Sequence, residues 1–573
     1  MQTGARISFG VYDETAKPDA SVSLSGAMGW ADGTTMVDES SAAVNYMTGE
    51  PGRSLLDGSF RLFPNAPNPQ NMLSVWSGAL SGEDGALSPP LIVTIAFTQL
   101  HSSVGITLHG DPTADIADAT VKWYGTDGGL LATAETTANT EADFFVDEKV
   151  DGYQKVVLTV TATAEPRRYA RLTEVDFGQL MVFGDADLVS ASFVEETDLS
   201  GASLPDAELN FTVLNRDQRF NILNPDGIYA YLRENMRLTV EAIQDGTPYP
   251  AGTYYLSKWA SSSGSTAKMS AIGEAGVLAK QSVPIDLFVD ESLQDGTERF
   301  IGADAPVHID AALKAAQLQG TVKAGDKREV FSQMVMAAGG IGVPDRTGGL
   351  RVREIGSGGD VLTVSDVLGT PAAEQREQIT QLEIDYYRYT VGQNEIGFFV
   401  SQGVAVGPDW QYIRMDYREE LKENTHVLTD VGIDGVMSPA VIEQRSALYG
   451  VNMAYVELRA DLVEGPLAVT LSGKPLGAVK DTRYTALSEL PGTTMSIAEI
   501  GLINENNIDA VQDRLTAHAD RRLTLTFRAV FRPGWQCGDR ITLPTGKGTV
   551  TGHIQSIDVD LTGGHIAKVE VVA

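Results

Sequence analysis

The sequence predicts a mainly β, multi-domain protein with a few helices, and three observations predict it. Short runs that alternate apolar and polar residues recur along the chain. Each is bounded by Gly, Pro, Asn, Asp or Ser, the pattern of strands joined by turns. Glycine is abundant, at 58 of 573 residues, while runs with helical periodicity are few. At 43% hydrophobic and 21% charged, the chain holds enough apolar material for several cores, roughly three to five domains at ordinary domain sizes.

Residues 1–90 contain one alternating run, 6–12 (RISFGVY). The stretch 13–90 is rich in Gly, Pro, Asn, Asp and Ser, with apolar islands at 60–63 and 74–76. It reads as an extended arm that packs on something else and lacks a core of its own. Residues 91–178 read as a β-sandwich, with strands at 91–97, 104–108, 120–124, 143–146, 155–163 and 170–177, and a turn at Gly128-Gly129 before Leu130. Residues 185–280 are again mostly β (189–195, 208–214, 236–242, 252–259), with one short helix expected over 224–232, Asn224 as its cap and Pro225 at its first position.

Two helices are expected next. Asp304 would cap the first, through Gln319, with Ile309, Ala312, Leu313 and Ala316 on one face and Gly320 as the stop. Asp326 with Glu329 would form a capping box for the second, which buries Val330, Phe331, Met334 and Val335 and ends at Gly339. A turn at 345–349 leads into a strand at 350–353. Strands return over 376–480 (379–389, 395–401, 412–416, 454–460), with one helix expected from Ser438-Pro439. The last segment carries a helix over 508–521, with Ile508, Val511, Leu515 and Ala519 on one side, then strands at 523–530, 540–543, 549–559 and 565–572.

The charge balance narrows function. Forty-three Lys and Arg face 76 Asp and Glu, a formal net charge of −33. Such a surface repels nucleic acid and anionic membranes, so stable nucleic-acid binding is not expected. One cysteine, Cys537, rules out an intrachain disulfide framework. The N-terminus lacks a basic start followed by an apolar stretch, and no run approaches the ~18 apolar residues of a membrane helix. These features lead to the expectation of a soluble protein made in a cytoplasm, reaching the outside only by assembly and lysis.

No catalytic, cofactor or metal signature emerges. There is no GxxxxGK[ST] loop, no HExxH and no paired CxxC, and the glycine runs at 339–342 and 356–359 lack GxGxxG spacing. One Cys and seven scattered His make a poor zinc set. Cys537 sits in a GWQCGD turn and reads as a small buried filler. Asp111, Asp115 and Asp118 share a loop, but their spacing is not that of an EF-hand, so a solvated face is the simpler reading. Among the sandwich aromatics, Trp123, Tyr124 and Tyr153 are the candidate glycan contacts. The competing reading makes them, with Phe144 and Phe145, the sandwich core.

Several stretches resemble tail-tip and baseplate-hub (tail-associated) proteins of siphophages and prophages of Gram-positive bacteria. They are 9–17 (FGVYDETAK) with 55–64 (LLDGSFRLFP), 192–198 (SFVEETD) with 209–213 (LNFTV) and 220–225 (FNILNP), and 533–541 (PGWQCGDRI) with 562–565 (TGGH). Residues 119–129 (ATVKWYGTDGG), 150–153 (VDGY) and 171–178 (RLTEVDFG) resemble a galactose-binding-like, discoidin-type sandwich. The resemblance implies an extended N-terminal arm (1–90), the galactose-binding-like β-sandwich (91–178) and a first hub β-barrel domain (179–300). It further implies an α+β hub subdomain (301–375), a second hub β-rich domain (376–480), and a C-terminal helix with a β-barrel part (481–573).

For function, the resemblance implies a non-enzymatic structural subunit of the virion, assembled in the host cytoplasm. Such a subunit closes or extends the tail tube and contacts host surface glycans through its sandwich. The implied partners are itself as a homotrimer, distal tail or tail-tube proteins, the tape-measure protein, and tail fibre or receptor-binding proteins. The alternatives are a glycan-binding adhesin or a cell-wall hydrolase outside any tail.

Overall fold

The computed structural model describes residues 2–29, 31–37, 50–51, 75–110, 116–225, 227–260, 265–356, 358–391, 393, 396–404, 410–416, 427–433, 436–437, 442–449, 453–460, 467–473 and 476–573. The first sixteen strands in chain order are β1 (Thr3–Tyr12), β2 (Ser21–Ser25), β3 (Val75–Trp76), β4 (Ala86–Ser103), β5 (Ile106–Gly110), β6 (Ile116–Tyr124), β7 (Leu130–Thr136), β8 (Asp143–Val146), β9 (Val150–Thr163), β10 (Arg171–Asp176), β11 (Gly178–Phe183), β12 (Leu188–Glu196), β13 (Glu208–Leu214), β14 (Arg237–Gln244), β15 (Thr247–Ala260) and β16 (Thr266–Ile272). The expected mainly β, multi-sheet character is present, with short helices at wide intervals.

The sandwich is built from a five-stranded sheet, β2–β4–β9–β6–β7, and a four-stranded sheet, β3–β10–β5–β8. Val93, Ile95, Val121, Leu158 and Val160 project from one sheet and Ile106, Leu108, Leu172 and Val175 from the other, all buried in one core. This is what period-2 alternation achieves when one face of each sheet is covered. The sandwich begins earlier than position 91. Ala16 and Met36 are buried in its core, and β2 lies along β4 from Ser21↔Ala96 to Ser25↔Ile92. The islands at 60–63 and Ser74 lie outside the described residues, as does the 55–64 stretch.

The alternating run at 6–12 is a strand, as its pattern predicts, so the expected arm over 1–90 does not include it. Strand β1 is interior to a 13-stranded sheet, paired on one side with β11 and on the other with β14. Phe9 lies opposite both Met181 and Leu238, and all three are buried. Ala5, Ile7, Phe9 and Val11 supply the apolar side of the alternation. The path of this sheet is β11–β1–β14–β15–β16–β13–β12, then Gly548–Asp560, Ile566–Val572, Leu523–Val530 and Ala372–Gln375. Arg540–Thr545 pairs with Gly548–Asp560, and Gly359–Val361 runs parallel to Arg540–Thr545. The expected pair of β-barrels is therefore replaced. Strands from 188–272 and from 523–572 share one sheet and one core, and the path stays open at both ends among the described residues.

The helix expectations divide. Lys327–Ala337 forms, with Asp326 Oδ1 accepting from Glu329 N at 2.8 Å, one of the two bonds of a capping box. Ile508–Ala519 forms with Ile508, Val511, Leu515 and Ala519 buried as expected. The helix over 304–319 does not form. Val307–Ile309 runs parallel to Leu350–Arg353, turns follow, and Gln317–Val322 pairs with Asp286–Ser292. Only Leu313 of the would-be helical stripe is fully buried, whereas Leu318 and Val322 are buried at strand period. Gly320 is not a helix stop. It sits within that strand at φ +137, and a Cβ there would lie 2.2 Å from the Gly501 carbonyl oxygen.

Among the described residues of 224–232 there is a single 3₁₀ turn, Tyr229–Tyr231, in place of the expected helix. The Asn224 amide donates back to Gln218 O at 3.0 Å, local side-chain bonding of the kind that competes with a helix. Ser438-Pro439 lies outside the described residues, and Ile442–Tyr449 beyond it is a strand paired with Met453–Ala460.

Candidate functional site

The three aromatic candidates for sugar contact do not form a platform. Trp123 and Tyr153 are each 0% exposed and belong to the sandwich core, so neither offers a ring face. The alternation of β6 and β9 turns both inward, and the Tyr153 hydroxyl meets Ser103 Oγ at 3.3 Å inside the core. Tyr124 alone is half-buried, and Lys155 Nζ lies 4.3 Å from its ring centroid. Residues 111–115, with Asp111 and Asp115, lie outside the described residues. Asp118 accepts from Ala138 N at 2.9 Å. Among the described residues no group of three or more His, Cys, Asp or Glu gathers as a metal site.

A polar network does exist where the sandwich meets the central sheet, and nothing in the linear order announced it. His101 places Nδ1 2.8 Å from Asp13 Oδ2 and Nε2 3.0 Å from Asp19 Oδ2. Burial disfavours the charged form of Asp13, but hydrogen bonds from Thr15 and His101 outweigh it and hold the carboxyl below the ordinary range. Asp19 is held low by the Thr98 hydroxyl, Gln99 N and His101.

Next to it, His109 bridges Asp143 at 3.1 Å and Asp176 at 3.0 Å. Its hydrogen bond to Asp176 lifts its pKa above the ordinary value, against burial. Lys17 reaches both Glu174 and Asp176, the latter at 2.6 Å. These groups border a cleft of about 710 Å³ that Tyr12, Lys17, Glu174 and Phe177 help to line. Lys17 pairs with Glu174 and Asp176, and His109 with Asp176, so these contacts fasten segments together.

A second fastening lies deep in the central sheet. Arg346, from the 345–349 turn, binds Glu195 of β12 through two bonds of 2.8 and 2.6 Å and donates to Pro533 O at 2.9 Å. Both side chains are buried, and the guanidinium lies 4.9 Å from the Phe531 ring centroid. Cys537 sits beside this pair, buried as its turn context suggested. Burial first, then the Glu195 charge, push its thiol far above the usual range, which leaves it unreactive.

The surface itself carries the remaining signal. Strand β11 ends the central sheet, and its outer side has no strand partner among the described residues. Met181 and Phe183 face the core, while Leu180 (50% exposed) and Val182 (49%) face outward. Near the other end of the sheet, Val361 (71%), Val364 (78%) and Leu368 stand exposed on the segment that borders the final strands. Open strand edges flanked by exposed β-branched and leucine side chains are unusual in a chain that ends its life as a monomer.

No protein-family model and no curated protein sequence matches the chain. Among solved structures it is similar to the 43 kDa tail protein of prophage MuSo2 from Shewanella oneidensis (TM-score 0.38, 10% identity, covering 69% of this chain and 95% of that one). It is also similar to the tail protein from Neisseria meningitidis MC58 (TM-score 0.38, 11% identity, 68% and 92% covered). A third likeness is to prophage tail protein gp18 from Listeria monocytogenes EGD-e (TM-score 0.35, 8% identity, 69% and 91% covered).

Proposed function

We propose that this chain is a structural subunit of a phage tail, part of the virion, and that its place is the tail tip or baseplate hub. The observation that carries the reading is the long central sheet with outward apolar side chains toward both of its ends, a surface that copies of the chain or neighbouring subunits would cover. The tail-tip and hub resemblance of residues 192–225 and 533–565 supports it independently. The stretches 192–198 and 209–213 lie largely in β12 and β13, and 533–541 and 562–565 are mainly the turns that join the closing strands of that same sheet.

In this reading the chain assembles as a homotrimer and meets distal tail or tube proteins, the tape-measure protein and tail fibres. Its acidity keeps passing DNA from adhering. Of the three candidate sugar contacts, only Tyr124 is left to serve a host glycan. The test is the mass of the purified chain in solution, together with imaging of the particle that contains it. A trimer and a location at the tail end are expected. A chain that stays monomeric at high concentration and is absent from tails would overturn the proposal.

A further inference from the structure

Against a net charge of −33, one seam gathers several arginines around a histidine, with one carboxylate, Asp198, whose charge also acts on that histidine. The helix Ile508–Ala519 carries His518 in its last turn, and Arg521 and Arg522 follow just before the strand Leu523–Val530. The antiparallel pairing of Ala372–Gln375 with that strand sets Arg376 beside them, its N donating to Arg522 O at 2.9 Å. Nearby, Arg514 is held by its two terminal nitrogens, which donate to Gly340 O (3.1 Å) and Met336 O (2.9 Å) at the end of the helix Lys327–Ala337, while its Nε is buried with no partner among the described residues.

The other four are held less well. Arg376 and Arg522 make only long side-chain bonds, 3.4 Å to Arg521 O and 3.5 Å to Gln378 Oε1. Arg521 Nη1, Arg522 Nε and His518 Nδ1 are buried with no hydrogen-bond partner among the described residues. His518 is only 6% exposed, while the three arginines are half-buried and form an open rim over it. Burial and the charge of Arg376 push the His518 pKa down to about 4, so its ring is neutral, and the negative end of the helix favours the charge of Arg521 alone. It does not account for Arg376, which comes from another element, or for the orphaned donors of Arg521 and Arg522. Buried donors of this kind are normally satisfied, and guanidinium forks match the geometry of an oxyanion.

We propose that this seam is a seat for a small multivalent oxyanion of the phosphate class, held by Arg376 and Arg522 at the rim with Arg521 and His518 behind. The seat is independent of the tail reading and stands or falls without it.

The test is calorimetric titration of the full chain with inorganic phosphate, at ionic strength matched by chloride. Saturable binding of one phosphate per chain is expected, weakened at least about tenfold in Arg376→Gln/Arg522→Gln, as loss of charge-assisted bonds implies. Binding should be unchanged in Arg528→Gln, an exposed arginine on the same strand. A measurement on the unaltered chain covers the case of a variant that fails to fold. The ³¹P line of phosphate should broaden on adding protein and sharpen again with sulfate but not with chloride. No saturable binding, or binding that survives the double substitution, overturns the proposal. So does a glutamate-rich peptide that binds where phosphate does not, which would assign the seam to a protein partner instead.

Discussion

At the scale of single residues, the chain is fastened by pairs that no local pattern could reveal. Glu195 and Arg346 lie 151 positions apart, and their bidentate contact is fully enclosed. Removing one partner of such a pair strands the other charge, which costs about 3–5 kcal/mol. Arg346→Met is therefore expected to lower the urea midpoint sharply, and adding Glu195→Gln to that variant should recover part of the loss. Of the residues singled out in the sequence, Cys537 proved legible because a lone cysteine in a turn before a strand is usually filler. Trp123 and Tyr153 were ambiguous, because an inward and an outward aromatic read alike until the register of the strand is known.

His109 gives a pH signature. Its native pKa is raised by Asp176, so its contribution is complete below the unfolded value near 6.5 and is lost as pH rises through the higher native value. Asp176, its native pKa lowered, contributes above the unfolded value near 3.9 and loses that contribution as pH falls through the native one. The pair is thus strongest between roughly pH 4 and 6.5. His109→Asn should shift the urea midpoint more at pH 5.5 than at pH 8.5, and equal shifts at both would remove His109 from this role.

At the scale of elements, the two expected helices that form bury a continuous apolar face, while residues 304–319 are drawn into strands and turns. Val330, Phe331, Met334 and Val335 supply enough apolar area to hold a helix in place. Residues 304–319 carried the right period, but tertiary pairing of Gln317–Val322 with Asp286–Ser292 prevailed. That pairing rests on Gly320. Gly320→Ala should cost about 1–3 kcal/mol through its left-handed backbone and the clash with Gly501 O. Asp326→Ala should cost about 1 kcal/mol through its lost cap. Chemical denaturation of the two variants side by side checks both the magnitudes and their order.

At the scale of the whole molecule, the β character and most strand positions were legible, because period-2 alternation is local. The joining of Thr3–Tyr12 to strands more than 160 residues away was not, since sheet order depends on pairings that sequence distance hides. The same holds for the single sheet that replaced two expected barrels. What this sheet and the net charge say together can be measured. Copies carrying −33 each repel one another, while exposed leucine and valine near the sheet ends favour contact. Raising salt from about 0.01 M to about 0.1 M shortens the screening length from about 30 Å to about 10 Å and weakens only the repulsion. Self-association driven by the sheet edges should therefore strengthen over that range, whereas association through complementary charges would weaken. The double variant Leu180→Lys/Val182→Lys, which places charge on the outward side of the end strand β11 without touching Met181 or Phe183, should reduce association at every salt concentration while leaving the folded chain intact by circular dichroism. Sedimentation of both proteins across the salt series measures the two effects at once. Association that falls with salt, or that ignores the β11 substitutions, would mean that copies meet through some surface other than this end of the sheet.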